Sequence, residues 1–346
     1  MNFSTVLLDW YYQNKRDLPW RHTDNPYVIW IAEVVFQQTR IDQGLGYFNR
    51  IIEKFPSVND LAACPEEEIL KLWQGLGYYS RARNLHFSAK LITNEYKGVF
   101  PNTYKELLKL KGVGPYIAAE VASVCFGEVV AAIDGNVQRV VARYFGVEEP
   151  VNIPAGAKLV SAIANSHIDH DRPGDFNQAM MDFGAMMCTP KNPKCDLCLF
   201  QEDCFAFRNG KQDVLPKKEK KLKVRNRYLN FLIHLEENKV YMQKRGEGDI
   251  WQGLYQPILM ESKNVVMELE HLDKEIKGYK LYSGNRKLTH QNLNLDFWVV
   301  EERNGEWKLE EYDLVTFEEL NNLPVPKSIE QLFLRQEFKS LFKAIE

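Results

Sequence analysis

Two carboxylates lie in settings expected to push their protonation in opposite directions. Glu33 belongs to Asn25-Pro26-Tyr27-Val28-Ile29-Trp30-Ile31-Ala32-Glu33-Val34-Val35-Phe36, which is apolar almost all the way round a helix that Asn25 can cap and Pro26 can start. Burial penalises an anion, so the Glu33 pKa is expected to rise. Asp134 stands before Gly135-Asn136-Val137, ahead of a helix whose apolar face is Val137, Val140, Val141 and Tyr144. At that N-cap the backbone N–H groups and the helix dipole are expected to hold its carboxylate ionised. An uncharged acid beside a fixed anion suits glycosidic cleavage, where one group protonates the leaving group and the other stabilises an oxocarbenium-like sugar. The plain alternatives are a structural hydrogen-bonding glutamate and a simple helix cap.

Two further patterns carry chemistry. Cys188, Cys195, Cys198 and Cys204 are spaced C-x6-C-x2-C-x5-C, with loops short enough to bring four thiolates onto one metal centre. Zinc and an iron–sulfur cluster both accept four thiolates, and spacing alone leaves both open. Leu110-Lys111-Gly112-Val113-Gly114-Pro115-Tyr116 sets two glycines just before a new helical pattern. Gly112 and Gly114 allow a tight turn and close approach, and the following helix N-terminus offers free N–H groups to an anion such as a phosphate; a plain turn is the alternative.

The elements that must position these groups divide the chain. From about Phe3 to Arg208 the apolar spacing is helical, with short Pro- or Gly-containing connections. Tyr228–Leu235 and Lys239–Lys244 read as strands joined at Glu236-Glu237-Asn238, and Phe297–Val300 as another. The expected organisation is an all-α region over 1–214, a basic linker over 215–226 and an α+β domain over 227–346. Within the first, residues from about 22 to 135 form a six-helix subdomain, and the N-terminus joins about 136–214 as a cluster subdomain. Ser283-Gly284-Asn285 reads as a turn ahead of Leu288-Thr289-His290.

Composition narrows the classes. A net charge of −3 means that any DNA surface is local. Six cysteines with no secretory signal argue against a disulfide scaffold, and Cys64 and Cys125 read as core packing. No apolar run reaches the roughly 18 residues a membrane span needs, so the protein reads as cytosolic.

The hairpin, the Asp134 element and the cysteine spacing together resemble the helix-hairpin-helix, iron–sulfur DNA glycosylases. Residues 33–40, Glu-Val-Val-Phe-Gln-Gln-Thr-Arg, and 73–85, Trp-Gln-Gly-Leu-Gly-Tyr-Tyr-Ser-Arg-Ala-Arg-Asn-Leu, are similar to the adenine DNA glycosylase (MutY) family. That resemblance implies a [4Fe–4S] cluster on the four cysteines. It implies that Glu33 protonates adenine at a ring nitrogen while Asp134 stabilises the sugar, with Tyr116 and Asn136 as supporting polar groups. Bifunctional relatives carry a Schiff-base lysine where this chain has Tyr116, which implies a monofunctional enzyme, since a phenol forms no imine. Gln38, Leu76 and Tyr78 would fill the gap left by an extruded base, with Tyr78 as the wedge, and Arg21 and Gln178 would border the adenine pocket. Lys111 stands where family members more often carry Pro.

The C-terminal third resembles a Nudix-like domain that lacks the Arg-Glu-x-x-Glu-Glu metal box. It would read 8-oxoguanine through Thr289 and His290, with Leu288 where relatives carry an aromatic. The implied partner is double-stranded DNA containing adenine opposite 8-oxoguanine, met by a monomer with no membrane association. The rival readings are an endonuclease III-like enzyme acting on oxidised pyrimidines and a non-catalytic iron–sulfur redox sensor that binds DNA.

Overall fold

The computed structural model describes residues 2–219, 224–304 and 309–342, so part of the basic run expected as a linker lies outside the described residues. Two compact units account for the chain: Met1–Ala63 with Asn84–Lys220, and Cys64–Arg83 with Lys221–Glu346. In chain order the helices before the sheet are α1 (Phe3–Asn14), a 3-10 turn (Pro19–Arg21), α2 (Pro26–Val35), α3 (Ile41–Lys54), α4 (Val58–Ala63), α5 (Glu66–Leu72), α6 (Ser80–Glu95), α7 (Tyr104–Leu107), α8 (Pro115–Phe126), α9 (Gly135–Phe145), α10 (Pro154–His167), α11 (Pro173–Met186) and α12 (Phe205–Arg208).

The first unit is helical because its caps and apolar faces agree. Asn25 accepts from the Tyr27 N–H at 2.9 Å and Pro26 opens α2, which buries Ile29, Trp30 and Ile31. Asp134 caps α9, and Gly146 ends it at a φ of +77°. Leu7 and Leu8 of α1 pack with Val140 and Val141 of α9 and Phe176 and Met180 of α11. Each such side chain contributes roughly 1.5–3 kcal/mol relative to an exposed one. At the hairpin, Gly112 has a φ of +83°, and a Cβ there would stand 2.7 Å from Asn84 Cβ. Only glycine fits that turn. Gly114 is different: its backbone is extended and a Cβ would meet nothing within 4 Å.

The second unit holds β1 (Arg225–Glu236), β2 (Lys239–Lys244), β3 (Tyr255–Ser262), β4 (Ile276–Lys287), β5 (Gln291–Arg303) and β6 (Asp313–Thr316), followed by α13 (Phe317–Leu320), α14 (Lys327–Phe333) and α15 (Gln336–Ser340). The sheet order is β4-β5-β1-β3-β2-β6, with β1 parallel to β5 and antiparallel to β3. Glu237 and Asn238, both at positive φ, turn β1 into β2 as the sequence expects. Successive residues face opposite sides: Phe297 packs with Phe231, Leu332 and Phe338, while Trp298 packs with Leu232 and Ile258.

One expectation is corrected here. Ser283, Gly284 and Asn285 form no turn; they pair with Asp296, Leu295 and Asn294 inside the β4–β5 ladder. Glycine and asparagine are turn-prone alone, but cross-strand pairing overrides local propensity. The reversal falls at Leu288-Thr289-His290, where the Leu288 N–H bonds the Gln291 carbonyl at 2.7 Å.

Residues of 64–83 belong to this second unit through bonds of their own. Lys71 donates to the Leu323 carbonyl at 3.0 Å, and Gln74 accepts from the Val325 N–H at 3.2 Å. Among the described residues no helix is long and apolar enough to cross a membrane.

Candidate active site

Four elements of the helical unit aim polar groups at one place. Glu33 projects from the last turn of α2 and Tyr116 from the first turn of α8, and the Tyr116 hydroxyl donates to Glu33 Oε2 at 2.6 Å. Glu33 keeps partial solvent contact yet is ringed by protein atoms. Burial pushes its pKa up to about 7, assisted by the Asp134 charge and opposed by the Tyr116 bond and Arg21. The expected upward shift is present, and its leading cause is desolvation.

Asp134 departs from expectation. Its Oδ1 accepts from the N–H groups of Asn136 and Val137, both at 2.8 Å, and its Oδ2 from Asn136 Nδ2 at 2.7 Å. Burial outweighs these donors, so its pKa is raised rather than lowered. The cap is as the sequence places it; what the sequence hid is how little water reaches the carboxyl.

Asn136 also ties this cap to the cysteine loop. Arg139 Nη2 donates to Asn136 Oδ1 at 2.8 Å and to the Gly184 carbonyl at 2.6 Å, and Arg139 Nε donates to the Cys188 carbonyl at 2.6 Å. One turn on, Arg143 Nη1 lies 3.5 Å from Cys188 Sγ and donates to the Thr189 carbonyl at 2.7 Å. Cys188, Cys195, Cys198 and Cys204 are free thiols close enough that their charges act on one another, and burial pushes Cys198 up to about 11.

Arg21 and Gln178, expected at the pocket border, belong to a second chain. Arg21 grips Asp182 with two bonds, Nη1 to Oδ2 at 2.6 Å and Nη2 to Oδ1 at 2.8 Å, and its guanidinium lies 5.9 Å from the Tyr11 ring. The Tyr11 hydroxyl donates to Gln178 Oε1 at 2.7 Å, and Gln178 in turn favours the anion of the buried Glu120 carboxyl.

Of the expected wedge residues, Gln38 and Tyr78 are exposed and hold left-handed backbone at φ +55° and +48°, a strained state for such side chains. Leu76 is 6% exposed, so it is buried where Tyr78 is not. In the second unit the Tyr78 hydroxyl lies 2.9 Å from Thr289 Oγ1, beside a cavity of about 510 Å³ lined by Tyr78, Arg83, Trp251, Lys287, Thr289 and His290.

Residues 31–162 match the HhH-GPD superfamily of base excision DNA repair proteins, 188–204 the iron–sulfur binding domain of endonuclease III, and 230–335 the NUDIX domain. The adenine DNA glycosylase of Buchnera aphidicola subsp. Baizongia pistaciae is 32% identical over 303 residues, covering 86% of each chain. The chain belongs to the adenine DNA glycosylase family. The Mus musculus adenine DNA glycosylase is 40% identical to it over 62% of this chain and 44% of its own. Among solved structures, a thermostable thymine-DNA glycosylase aligns with a TM-score of 0.56 and 33% identity, over 60% of this chain and 95% of that one.

This member of the adenine DNA glycosylase family is therefore a DNA glycosylase that binds DNA and carries a [4Fe–4S] cluster. The donor set fits that group: four soft thiols lie within reach of one another's charge, with Arg143 beside Cys188 to offset it. Among the described residues no three His, Cys, Asp or Glu side chains close round a single metal ion. A cubane takes thiolates set wider apart than one zinc does.

Sequence reading passed over Tyr11, Glu120, Arg139 and Asp182. Glu120 and Asp182 carry the signal that exposed Glu33, a lone carboxyl in an apolar helical run: Ile117-Ala118-Ala119-Glu120-Val121-Ala122 and Met180-Met181-Asp182-Phe183. Arg139 gave none, because its partners outside its own helix are backbone carbonyls brought in from α11 and the loop after it.

Proposed function

We propose that this protein hydrolyses the N-glycosidic bond of adenine mispaired with 8-oxoguanine or guanine in duplex DNA, as a monofunctional glycosylase acting as a monomer in the cytoplasm. The observation that carries the reading is Glu33, a carboxyl poised near neutrality beside Tyr116 and the thrice-bonded Asp134. Arg21 and Gln178 line the approach to it.

Glu33 in its acid form gives its proton to a ring nitrogen of adenine. The N-glycosidic bond then breaks, its electron pair leaving with the base, and Asp134 faces the positive charge that develops on the sugar. The resulting Glu33 carboxylate, stabilised by Tyr116 and Arg21, takes a proton from the water that bonds to the sugar carbon. Tyr116 has no amine with which to form an imine, so no strand cleavage follows from this site. Cys188, Cys195, Cys198 and Cys204 would hold the [4Fe–4S] cluster, which staples the loop after α11. On the other unit, Thr289 supports lesion reading: oxidation turns guanine N7 from acceptor to donor, and a hydroxyl can accept from it.

Single-turnover release of free base tests the proposal, using duplexes with adenine opposite 8-oxoguanine, adenine opposite guanine, and an oxidised pyrimidine. The parent should release adenine only. Asp134→Asn should lose more than about a hundredfold in rate, the scale of one transition-state electrostatic contact, while still binding duplex. Release of the pyrimidine instead, or of no base, would overturn it in favour of an endonuclease III-like enzyme or a redox sensor.

A further inference from the structure

Glu120 is a second buried carboxyl in the helical unit, and the steps above leave it unused. It follows Tyr116 by four residues on α8, so both side chains leave the same face of that helix. Only 2% of the residue is exposed. Gln178 favours its anion, and the charges of Glu33, Arg21 and Asp134 act on it, so it lies within electrostatic reach of those residues. Tyr11 occupies Gln178 Oε1, which leaves the Gln178 amide nitrogen to face Glu120. Among the described residues Glu120 Oε2 is buried and has no hydrogen-bond partner. A buried carboxyl oxygen left unbonded destabilises the fold, and such atoms are retained where a ligand completes them.

The protonation state follows from the surroundings. Burial, then the charge of Glu33, push the Glu120 pKa well above the ordinary carboxyl range. Both effects favour the uncharged acid. A proton on Oε2 makes it a donor without an acceptor among the described residues.

We propose that Glu120 is a further catalytic residue of this site, whose Oε2–H donates to an acceptor nitrogen of the base other than the one Glu33 protonates. The bond draws electron density into the ring as the base departs, so it strengthens towards the transition state. The inference rests on the reading that this pocket takes adenine, whose ring offers N1, N3 and N7 as acceptors.

The test is single-turnover excision by the parent, Glu120→Leu and Glu120→Gln. The duplexes carry adenine, 1-deazaadenine, 3-deazaadenine or 7-deazaadenine opposite guanine, each analogue replacing one acceptor nitrogen by C–H. Thermal melting of each variant fixes the folded fraction to which rates are referred. Glu120→Leu should slow adenine release about tenfold, the worth of one hydrogen bond to a neutral group. Glu120→Gln, whose amide also donates, should stay within about threefold of the parent. On one analogue that the parent still processes, Glu120→Leu should match the parent, because the bond is already gone. The inference is overturned if Glu120→Leu releases adenine within twofold of the parent, if its loss is the same on all analogues, or if Glu120→Gln is as slow as Glu120→Leu. A parent that releases no adenine at all would instead overturn the adenine reading on which the inference rests.

Discussion

The Tyr116 hydroxyl donates to Glu33 Oε2 at 2.6 Å while burial works the other way on the same carboxyl. The two effects leave Glu33 near pH 7, where it can be an acid before base departure and an anion after it. A carboxyl without the phenol would hold its proton more tightly; one without the burial would have no proton to give.

Excision by the parent should therefore fall as pH rises through about 7, the pKa at which Glu33 loses its proton. Tyr116→Phe removes a bond that favours the anion, so that descent should move to higher pH. A single-turnover rate profile between pH 5 and 9 reads both, and an unchanged midpoint in the variant would sever the link between the two residues. Stability carries the same signature. The folded pKa lies above the ordinary carboxyl value, so the contribution of neutral Glu33 is complete below about 4.3 and is lost as pH rises through 7. Glu33→Gln should consequently gain on the parent in urea unfolding at pH 8 and not at pH 4.

Much of this site could be read from residues before any coordinates. The helix around Glu33 and the cap at Asp134 are local patterns, and local patterns survive folding. The raised Asp134 pKa was not legible, because it depends on how completely distant segments close over the cap. The β4–β5 pairing was missed for a related reason: Gly284 and Asn285 are turn formers until Leu295 and Asn294 pair with them. Glu120 was legible in principle, as a lone charge in an apolar run, but its partner Gln178 lies 58 positions away in sequence.

Arg139 links Asn136, beside the reacting carboxylate, to the Cys188 carbonyl of the cluster loop. Arg139→Leu strips donors from the Asn136, Gly184 and Cys188 oxygens in a buried place, which should cost about 1–3 kcal/mol for each acceptor left unsatisfied. Iron content and visible absorption report the loop, and base release reports the cap. Both should decline together; loss of one with the other intact would mean that the link transmits nothing.

The two hairpin glycines should behave differently. Gly112→Ala forces a Cβ towards Asn84 at a φ of +83° and should lower stability by about 1–3 kcal/mol. Gly114→Ala meets open space and should melt like the parent, yet weaken duplex affinity if a phosphate approaches the α8 N-terminus there. Melting curves and binding isotherms at fixed salt separate the two effects. Equal affinity of Gly114→Ala and the parent would show that this turn has only a structural purpose.

Lesion selectivity gives the last expectation, and it turns on Thr289. Its hydroxyl sits at the β4–β5 reversal, 2.9 Å from the hydroxyl of Tyr78 and beside a cavity that Lys287 and His290 also line. A hydroxyl both donates and accepts, so the Tyr78 bond fixes the orientation of Thr289 without exhausting it. On 8-oxoguanine, N7 carries a hydrogen that needs an acceptor; on guanine the same position is itself an acceptor. Leu288 brings apolar surface but no aromatic face, which leaves the discrimination to polar contacts. Thr289→Ala with His290→Ala should therefore slow adenine release opposite 8-oxoguanine by about tenfold, the worth of a hydrogen bond or two, and opposite guanine by much less. Tyr78→Phe tests the orienting bond separately: it keeps the ring, frees Thr289, and should lower the same selectivity by a smaller factor. Equal losses on the two duplexes in the double variant would sink the assignment and move lesion reading into the helical unit.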